Sequence, residues 1–221
     1  MITYHADLVQ GSEEWLAARC GMLTASEMHL IVTPTLKAAS NDKERTHLYE
    51  LLAQRITGYV EPRYISDDML RGMDEEITAL DLYAKHHSKI ERVGFITNDK
   101  WGFTIGYSPD AIVEGAGLVE CKSRRQKYQI QTIVDGVVPP EYMIQIQTGL
   151  LVSEREWLDF ISYSGGLPMF LMRCYPMPEY QEAIVKAATA FEERLAINLE
   201  TYMKTSQDYI PTERKIIQEI Y

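Results

Sequence analysis

Asp110, Glu120 and Lys122 are the residues whose types and spacing best suit chemistry. A glycine-containing turn, Glu114 to Gly117, lies between the two acids, so the chain can fold back as a hairpin with Asp110 facing Glu120. Glu120 and Lys122 are two apart on an extended segment, which projects both side chains from one face. Two carboxylates and one ammonium then converge. Phosphodiester hydrolysis needs charge neutralised on the phosphate oxygens and leaving group, and a water aligned opposite that group. A carboxylate-held divalent cation supplies the first function and can activate the water. The lysine can orient or deprotonate the water and offset developing negative charge. The Cys121 backbone carbonyl is a candidate further oxygen ligand. The alternative is a surface hairpin with an ordinary cross-strand ion pair, and the three residues alone favour it. Two features weigh against it: Leu118 and Val119 place Glu120 at the end of an apolar strand, where unpaired charge is costly, and Ser108-Pro109 would kink the chain just before Asp110.

The elements that must hold these residues are readable in outline. Ser12 caps a first helix, with Glu13 and Glu14 in its first turn and an apolar stripe of Trp15, Leu16 and Ala18 that fades at Gly21. Thr24 to Glu27 has capping-box spacing, which predicts a second helix to about Val32, stopped by Pro34. Residues 35–44 read as a mobile loop. Helices follow over Arg45 to Thr57, ended by Gly58, and over Asp67 to His87, with Leu70, Ile77, Leu80 and Tyr83 on one face beside Glu76. Ile90 to Thr97, Phe103 to Tyr107 (with Asp110 to Val113 continuing it or following a bulge at Ser108-Pro109) and Leu118 to Lys122 read as three strands of one meander. A helix over Gln126 to Asp135 is broken by Pro139-Pro140, and another runs from Glu141 to Val152. Two strands, Trp157 to Tyr163 and Met169 to Cys174, and a C-terminal helix from Pro178 to about Met203 complete one α/β domain over residues 1–221.

Composition sets limits. The 221 residues are 46% apolar and 24% charged, an ordinary globular balance with room for a full core. No apolar run approaches a membrane span and Met1 to Gln10 lacks a signal-peptide pattern, so the expectation is a cytoplasmic protein with no membrane contact. Three scattered cysteines read as reduced thiols. Of five histidines only His86-His87 cluster, without a ligand partner, so no zinc site is expected. The net charge of −10 is awkward for a nucleic-acid protein and predicts a local basic track on an acidic exterior. Lys122, Arg124, Arg125 and Lys127 form the densest positive cluster, directly after the candidate catalytic strand, either as a DNA-backbone contact or as a solvated loop.

Pro109-Asp110 followed by Glu120-Cys121-Lys122 resembles the PD-(D/E)xK nuclease superfamily. The wider pattern resembles the lambda exonuclease (YqaJ-type viral recombinase) family. The matching stretches are Trp15 to Glu27, Arg71 to Glu76, Ser108 to Asp110, Glu120 to Lys122, and Tyr142 to Gln147, in order over about two thirds of the chain. The resemblance implies an α/β fold with a restriction-endonuclease-like core, a central mixed β-sheet flanked by helices. It implies Mg²⁺, with Mn²⁺ as a substitute, held by Asp110, Glu120, the Cys121 carbonyl and Glu76. It implies that Lys122 positions the attacking water, supported by Gln145. It implies that Arg19, Ser26 and Ser108 grip a terminal 5′-phosphate, while Met69 matches an apolar wedge between terminal bases. Each has a plainer reading beside it: Arg19 as a helix-end charge, Ser26 as part of a helix start, Glu76 as a solvated acid, Gln145 on a polar face, Met69 in the core. The implied activity is processive 5′-to-3′ digestion of one strand of double-stranded DNA, releasing mononucleotides, by a ring-shaped homotrimer working with a phage-type single-strand annealing protein in a bacterial cell. An endonuclease with the same core and a non-catalytic DNA-binding subunit are the alternatives.

Overall fold

A computed structural model describes residues 1–62 and 66–214. Two mixed sheets meet near the middle of the chain. The first has the order β1 (Ile2–His5), β4 (Phe95–Asn98), β5 (Ile105–Tyr107), β2 (Leu23–Thr24). The second has the order β3 (Ile90–Glu91), β6 (Ala111–Val113), β7 (Gly117–Ser123), β8 (Trp157–Tyr163), β9 (Phe170–Cys174). In the second sheet β7 is central, antiparallel to β6 and parallel to β8. The helices are α1 (Glu13–Arg19), α2 (Asp42–Thr57), α3 (Asp67–His86), α4 (Gln126–Asp135), α5 (Met143–Ser153) and α6 (Pro178–Thr205). Among the described residues, no helix is long and apolar enough to cross a membrane.

Local chemistry explains most boundaries. The Ser12 hydroxyl accepts from the Trp15 amide at the start of α1, and Asn41 accepts from both Lys43 and Glu44 at the start of α2. Gly58 and Gly136 close α2 and α4 in the left-handed conformation, which glycine adopts without steric cost. One large core joins α2, α5, α6, the first sheet and β7 and β8 of the second, with Leu23, Ile105, Phe160 and Phe191 fully enclosed. A smaller one packs α3 on the second sheet through Ala79, Leu80, Tyr83, Val119 and Ile161.

The structure departs from the sequence reading in several places. Thr24 to Val32 is not a helix. Leu23 and Thr24 pair in parallel with Ile105 and Gly106, and only a 3₁₀ turn at Met28–Leu30 follows. The capping-box pair does meet, but side chain to side chain: the Thr24 hydroxyl donates to Glu27 Oε2 at 3.1 Å. α2 starts three residues earlier than expected, and part of the loop before it is ordered by a bridge between Val32 and Ala38. Ile90 to Thr97 splits into β3 and β4, which belong to different sheets. At the break, a Cβ on Gly94 would lie 1.8 Å from the Leu8 carbonyl oxygen, so the chain passes directly against another backbone segment there. The expected single meander is therefore divided between the two sheets, with the crossing at Ser108, Pro109 and Asp110. β1 was not anticipated; it adds to the edge of β4. Leu70 and Ile77 do not share the buried face of Leu80 and Tyr83: each is about half exposed. Pro140–Tyr142 forms a 3₁₀ turn before α5 begins.

Candidate active site

The crossing between the sheets builds the site. Tyr107 ends β5 and Ala111 begins β6, so Asp110 emerges at the seam. The β6–β7 register pairs Ala111 with Val119. Its continuation brings Asp110 to the amide of Cys121, which donates to Asp110 Oδ2 at 2.5 Å. The hairpin is braced at its turn by Arg155, whose Nη1 donates to the carbonyls of Val113 and Gly117 at 3.0 and 2.9 Å.

Glu120 is the hub. It is only 2% exposed on a strand buried on both faces, yet it is well supplied with donors. Lys122 Nζ donates to Oε1 at 2.8 Å, Gln145 Nε2 donates to the same oxygen at 2.5 Å, and the Tyr107 hydroxyl donates to Oε2 at 2.8 Å. Buried charge without such partners would cost several kcal/mol, on the order of 3–5 for a broken pair. The structure thus joins Asp110, Glu120, Lys122 and Gln145 in one connected group.

Electrostatics report the crowding of negative charge. Burial, then the Glu120 and Glu76 carboxylates, push the Asp110 carboxyl well above its ordinary value. Burial also raises Glu76, with Glu120 adding to the rise and Arg92 and Lys122 opposing it. For Lys122, burial acts downward, but Glu120 and Asp110 outweigh it and hold the ammonium protonated well above its usual range. The Tyr107 phenol is pushed up by burial and by the same carboxylates, so it remains a donor. Hard oxygen ligands whose mutual repulsion is relieved by a small dication suit Mg²⁺ or Mn²⁺ better than a soft metal.

Glu76 comes from α3. Its neighbour Glu75 pins the helix to the sheet, accepting from the Ser123 hydroxyl at 2.5 Å and from the Gly165 amide at 3.2 Å. Glu76, the next residue of α3, lies near enough to Glu120 and Asp110 for the charges to act on one another. Among the described residues, the trio of potential ligand side chains gathered within 4.8 Å is a different one: Glu27, His47 and Glu50. Sequence spacing gave no hint of this group, because folding brings the turn after β2 to α2. Glu27 already accepts from Thr24, and His47 Nδ1 lies 3.4 Å from Glu50 Oε2. This trio lies apart from the β6–β7 hairpin that carries Asp110 and Glu120.

A second cluster adjoins Asp110. Arg19, in the last turn of α1, lies over the Trp15 ring at 4.1 Å. It reaches Ser108 Oγ at 3.4 Å and Thr24 Oγ1 at 3.3 Å. Trp15 Nε1 also donates to Ser108 Oγ, at 2.9 Å, and Ser26 Oγ lies 3.4 Å from Thr24 Oγ1. Arg19, Ser26 and Ser108 are therefore joined in one polar cluster through Thr24, and Ser108 stands two residues before Asp110. Thr24 and Trp15 complete the cluster, and neither is among the residues the family resemblance assigns to phosphate binding. The signal existed at Thr24, but it had been absorbed into a helix start.

The basic cluster divides. Arg124 is buried, 8% exposed, and donates to Glu141 at 3.0 Å and to the Tyr142 hydroxyl at 2.8 Å. Tyr142 in turn presents its ring to Lys122 at 5.6 Å, so Arg124 braces the surroundings of Lys122. Arg125 is exposed and pairs with Asp68 at 2.7 Å. With Met69, 47% exposed and not in the core, both line a cleft of about 490 Å³ beside the end of β7. Gln147 is fully buried and joins α5 to the chain before α6 through Tyr175 and Met177.

The seam between sheets, with its carboxylates, lysine and glutamine, defines a nuclease of the PD-(D/E)xK class. Within that class the chain belongs to the YqaJ-like viral recombinase domain family, which it matches over residues 14–156. An alkaline exonuclease from Laribacter hongkongensis superposes with a TM-score of 0.80 at 29% identity, covering 90% of this chain and 100% of that one. A structure of that exonuclease in complex with dAMP gives 0.80 at 31% identity over the same shares. A phage-related exonuclease from Haemophilus somnus shares the fold, with a TM-score of 0.57 at 13% identity over 80% of this chain and 96% of that one. No curated protein sequence matches the chain.

Proposed function

We propose that residues 1–221 form one nuclease domain, a Mg²⁺-dependent exonuclease that digests one strand of double-stranded DNA in the 5′-to-3′ direction from 5′-phosphorylated ends. Mn²⁺ can substitute. The product is mononucleotides plus a 3′ single strand suited to a phage-type annealing protein in the cytoplasm of a bacterial cell. The observation that carries this reading is the adjacency of the two clusters: Arg19, Thr24 and Ser26 gather around Ser108, which is two residues along the chain from Asp110. An arginine flanked by hydroxyls suits a phosphate with several free oxygens, as at a strand end. An enzyme that grips an end next to its hydrolytic group counts nucleotides from that end.

When bound, the cation supplies charge neutralisation on the scissile phosphate and water activation. Asp110, Glu120 and the Cys121 carbonyl would hold it, with Glu76 closing in from α3. Lys122, held as an ammonium, donates to the attacking water or to a phosphate oxygen. Gln145 shares Glu120 Oε1 with Lys122 and fixes where that ammonium can sit. Met69 at the cleft rim suits the wedge that parts the terminal base pair, and Arg125 suits a passing phosphate. A ring-shaped homotrimer would explain processivity, since a closed ring resists dissociation, and would place the acidic exterior away from the DNA.

Arg19→Ala tests the end-gripping reading. Wild type should digest 5′-phosphorylated duplex faster than 5′-hydroxyl duplex. The variant should lose that preference, slowing about 10- to 100-fold on phosphorylated ends, the loss of one charged hydrogen-bonding partner at about 1.5–3 kcal/mol. Equal slowing on both kinds of end would contradict it.

A further inference from the structure

Glu120 has its two oxygens served differently. Oε1 takes Lys122 and Gln145. Among the described residues, Oε2 takes one donor, the Tyr107 hydroxyl at 2.8 Å, from a side chain 1% exposed. A carboxylate oxygen has two lone-pair directions, so this bond occupies one and leaves the other for a cation.

The tyrosine is itself seated with care. Gly149 lies in the interior of α5 with an ordinary helical backbone, where glycine weakens a helix relative to alanine. Its reason is space. A Cβ there would sit 2.7 Å from Tyr107 Cζ and 2.8 Å from Cε1. The bare backbone of α5 therefore lies on the ring and fixes where the hydroxyl points. Gln145 stands four residues earlier on the same helix, so it projects from the same face. One face of α5 thus governs both oxygens of Glu120: directly through Gln145, and through Gly149 and Tyr107.

We propose that Tyr107, seated on Gly149, is a positioning residue that turns the Glu120 carboxylate into its metal-holding orientation. The inference rests on the metal-nuclease reading above. It assigns Tyr107 no contact with DNA and no proton transfer. Outer partners of metal ligands typically change metal affinity about 10- to 100-fold when removed.

Titration calorimetry with Mn²⁺ alone, on wild type, Tyr107→Phe, Gly149→Ala and Glu120→Gln, tests it, alongside melting curves in EDTA. Tyr107→Phe should melt within a few degrees of wild type in EDTA yet bind Mn²⁺ about 10- to 100-fold more weakly. Its DNA cleavage should recover toward the wild-type maximum as Mn²⁺ is raised, a shift in metal requirement that a general packing defect would not produce. Gly149→Ala keeps the hydroxyl but crowds the ring, and it should shift Mn²⁺ affinity in the same direction; it carries the test if Tyr107→Phe does not fold. Unchanged Mn²⁺ affinity in both variants, with binding lost in Glu120→Gln, overturns the role of Tyr107 while leaving the metal site standing. Absence of Mn²⁺ binding by wild type overturns both.

Discussion

Replacing Lys122 with alanine is expected to lower DNA cleavage by about 10²- to 10⁴-fold, the range for a positioned proton donor or charge stabiliser, while binding of a 5′-phosphorylated duplex persists. The reason lies in what surrounds the ammonium. It donates to Glu120 Oε1 beside Gln145, and the field of Glu120 and Asp110 outweighs burial to keep it protonated. A lysine so held is a fixed positive charge in the resting protein, not a free amine waiting to take a proton. Its loss removes a donor where negative charge develops, but it removes no oxygen ligand. Metal-supported DNA binding, measured by gel shift in Ca²⁺, should stay within a few-fold of wild type. Near-normal turnover in Lys122→Ala would sink the lysine's role. Loss of DNA binding in proportion to loss of cleavage would instead make it a binding residue.

Asp110→Asn should abolish cleavage and at the same time stabilise the metal-free protein. Burial and two neighbouring carboxylates raise the Asp110 carboxyl well above its ordinary value. A group whose folded value is raised binds its proton more tightly in the folded state than in the unfolded one. Its contribution to stability is fully present below the unfolded value and is lost as pH rises through the folded value. Metal-free wild type should therefore lose stability as pH climbs above the ordinary carboxylate range. Glu76, raised by the same causes, should add to the loss. Asparagine keeps an oxygen to accept from the Cys121 amide, carries no charge, and turns an amide donor toward carboxylates. A gain of about 0.5–2 kcal/mol, or roughly 2–8 °C in Tm at neutral pH in EDTA, is expected, and the gap should narrow as pH falls. Added Mg²⁺ should raise the melting temperature of wild type and not of the variant. A variant less stable than wild type at neutral pH in EDTA would show that Asp110 is a structural anchor and not a strained ligand.

The parts of the fold that were legible in the sequence are those dictated by neighbours along the chain. Ser12 and its acidic first turn marked α1, Pro139-Pro140 lay beyond the end of α4, and the segment from Trp157 to Tyr163 marked β8. The hairpin that opposes Asp110 and Glu120 followed from two-residue periodicity and a glycine turn. What failed depended on contacts between distant segments. No local pattern at Ile90 to Thr97 announces that the backbone must pass Leu8 at Gly94 and change sheets. The pairing of Leu23 and Thr24 with β5 overrode a good capping sequence. Tyr107 reads as a core aromatic in a strand, and the available signal, a glycine at 149 inside a helical pattern, marks a close approach without saying to what. Charge alone does not reveal burial: Arg124 belongs to a cluster that reads as a DNA-backbone contact or a solvated loop, and its enclosure comes from its bonds across to Glu141 and Tyr142.

Digestion of a linear duplex carrying 5′-phosphates, mixed with a closed circular duplex, in Mg²⁺ and in EDTA, tests the central claim most directly. The account predicts Mg²⁺-dependent release of mononucleotides from the 5′ ends of the linear DNA, a residual 3′ strand, and an intact circle. Cutting of the circle would contradict it and make the chain an endonuclease; an inert linear substrate in Mg²⁺ would contradict it more deeply, leaving a DNA-binding subunit with a nuclease fold.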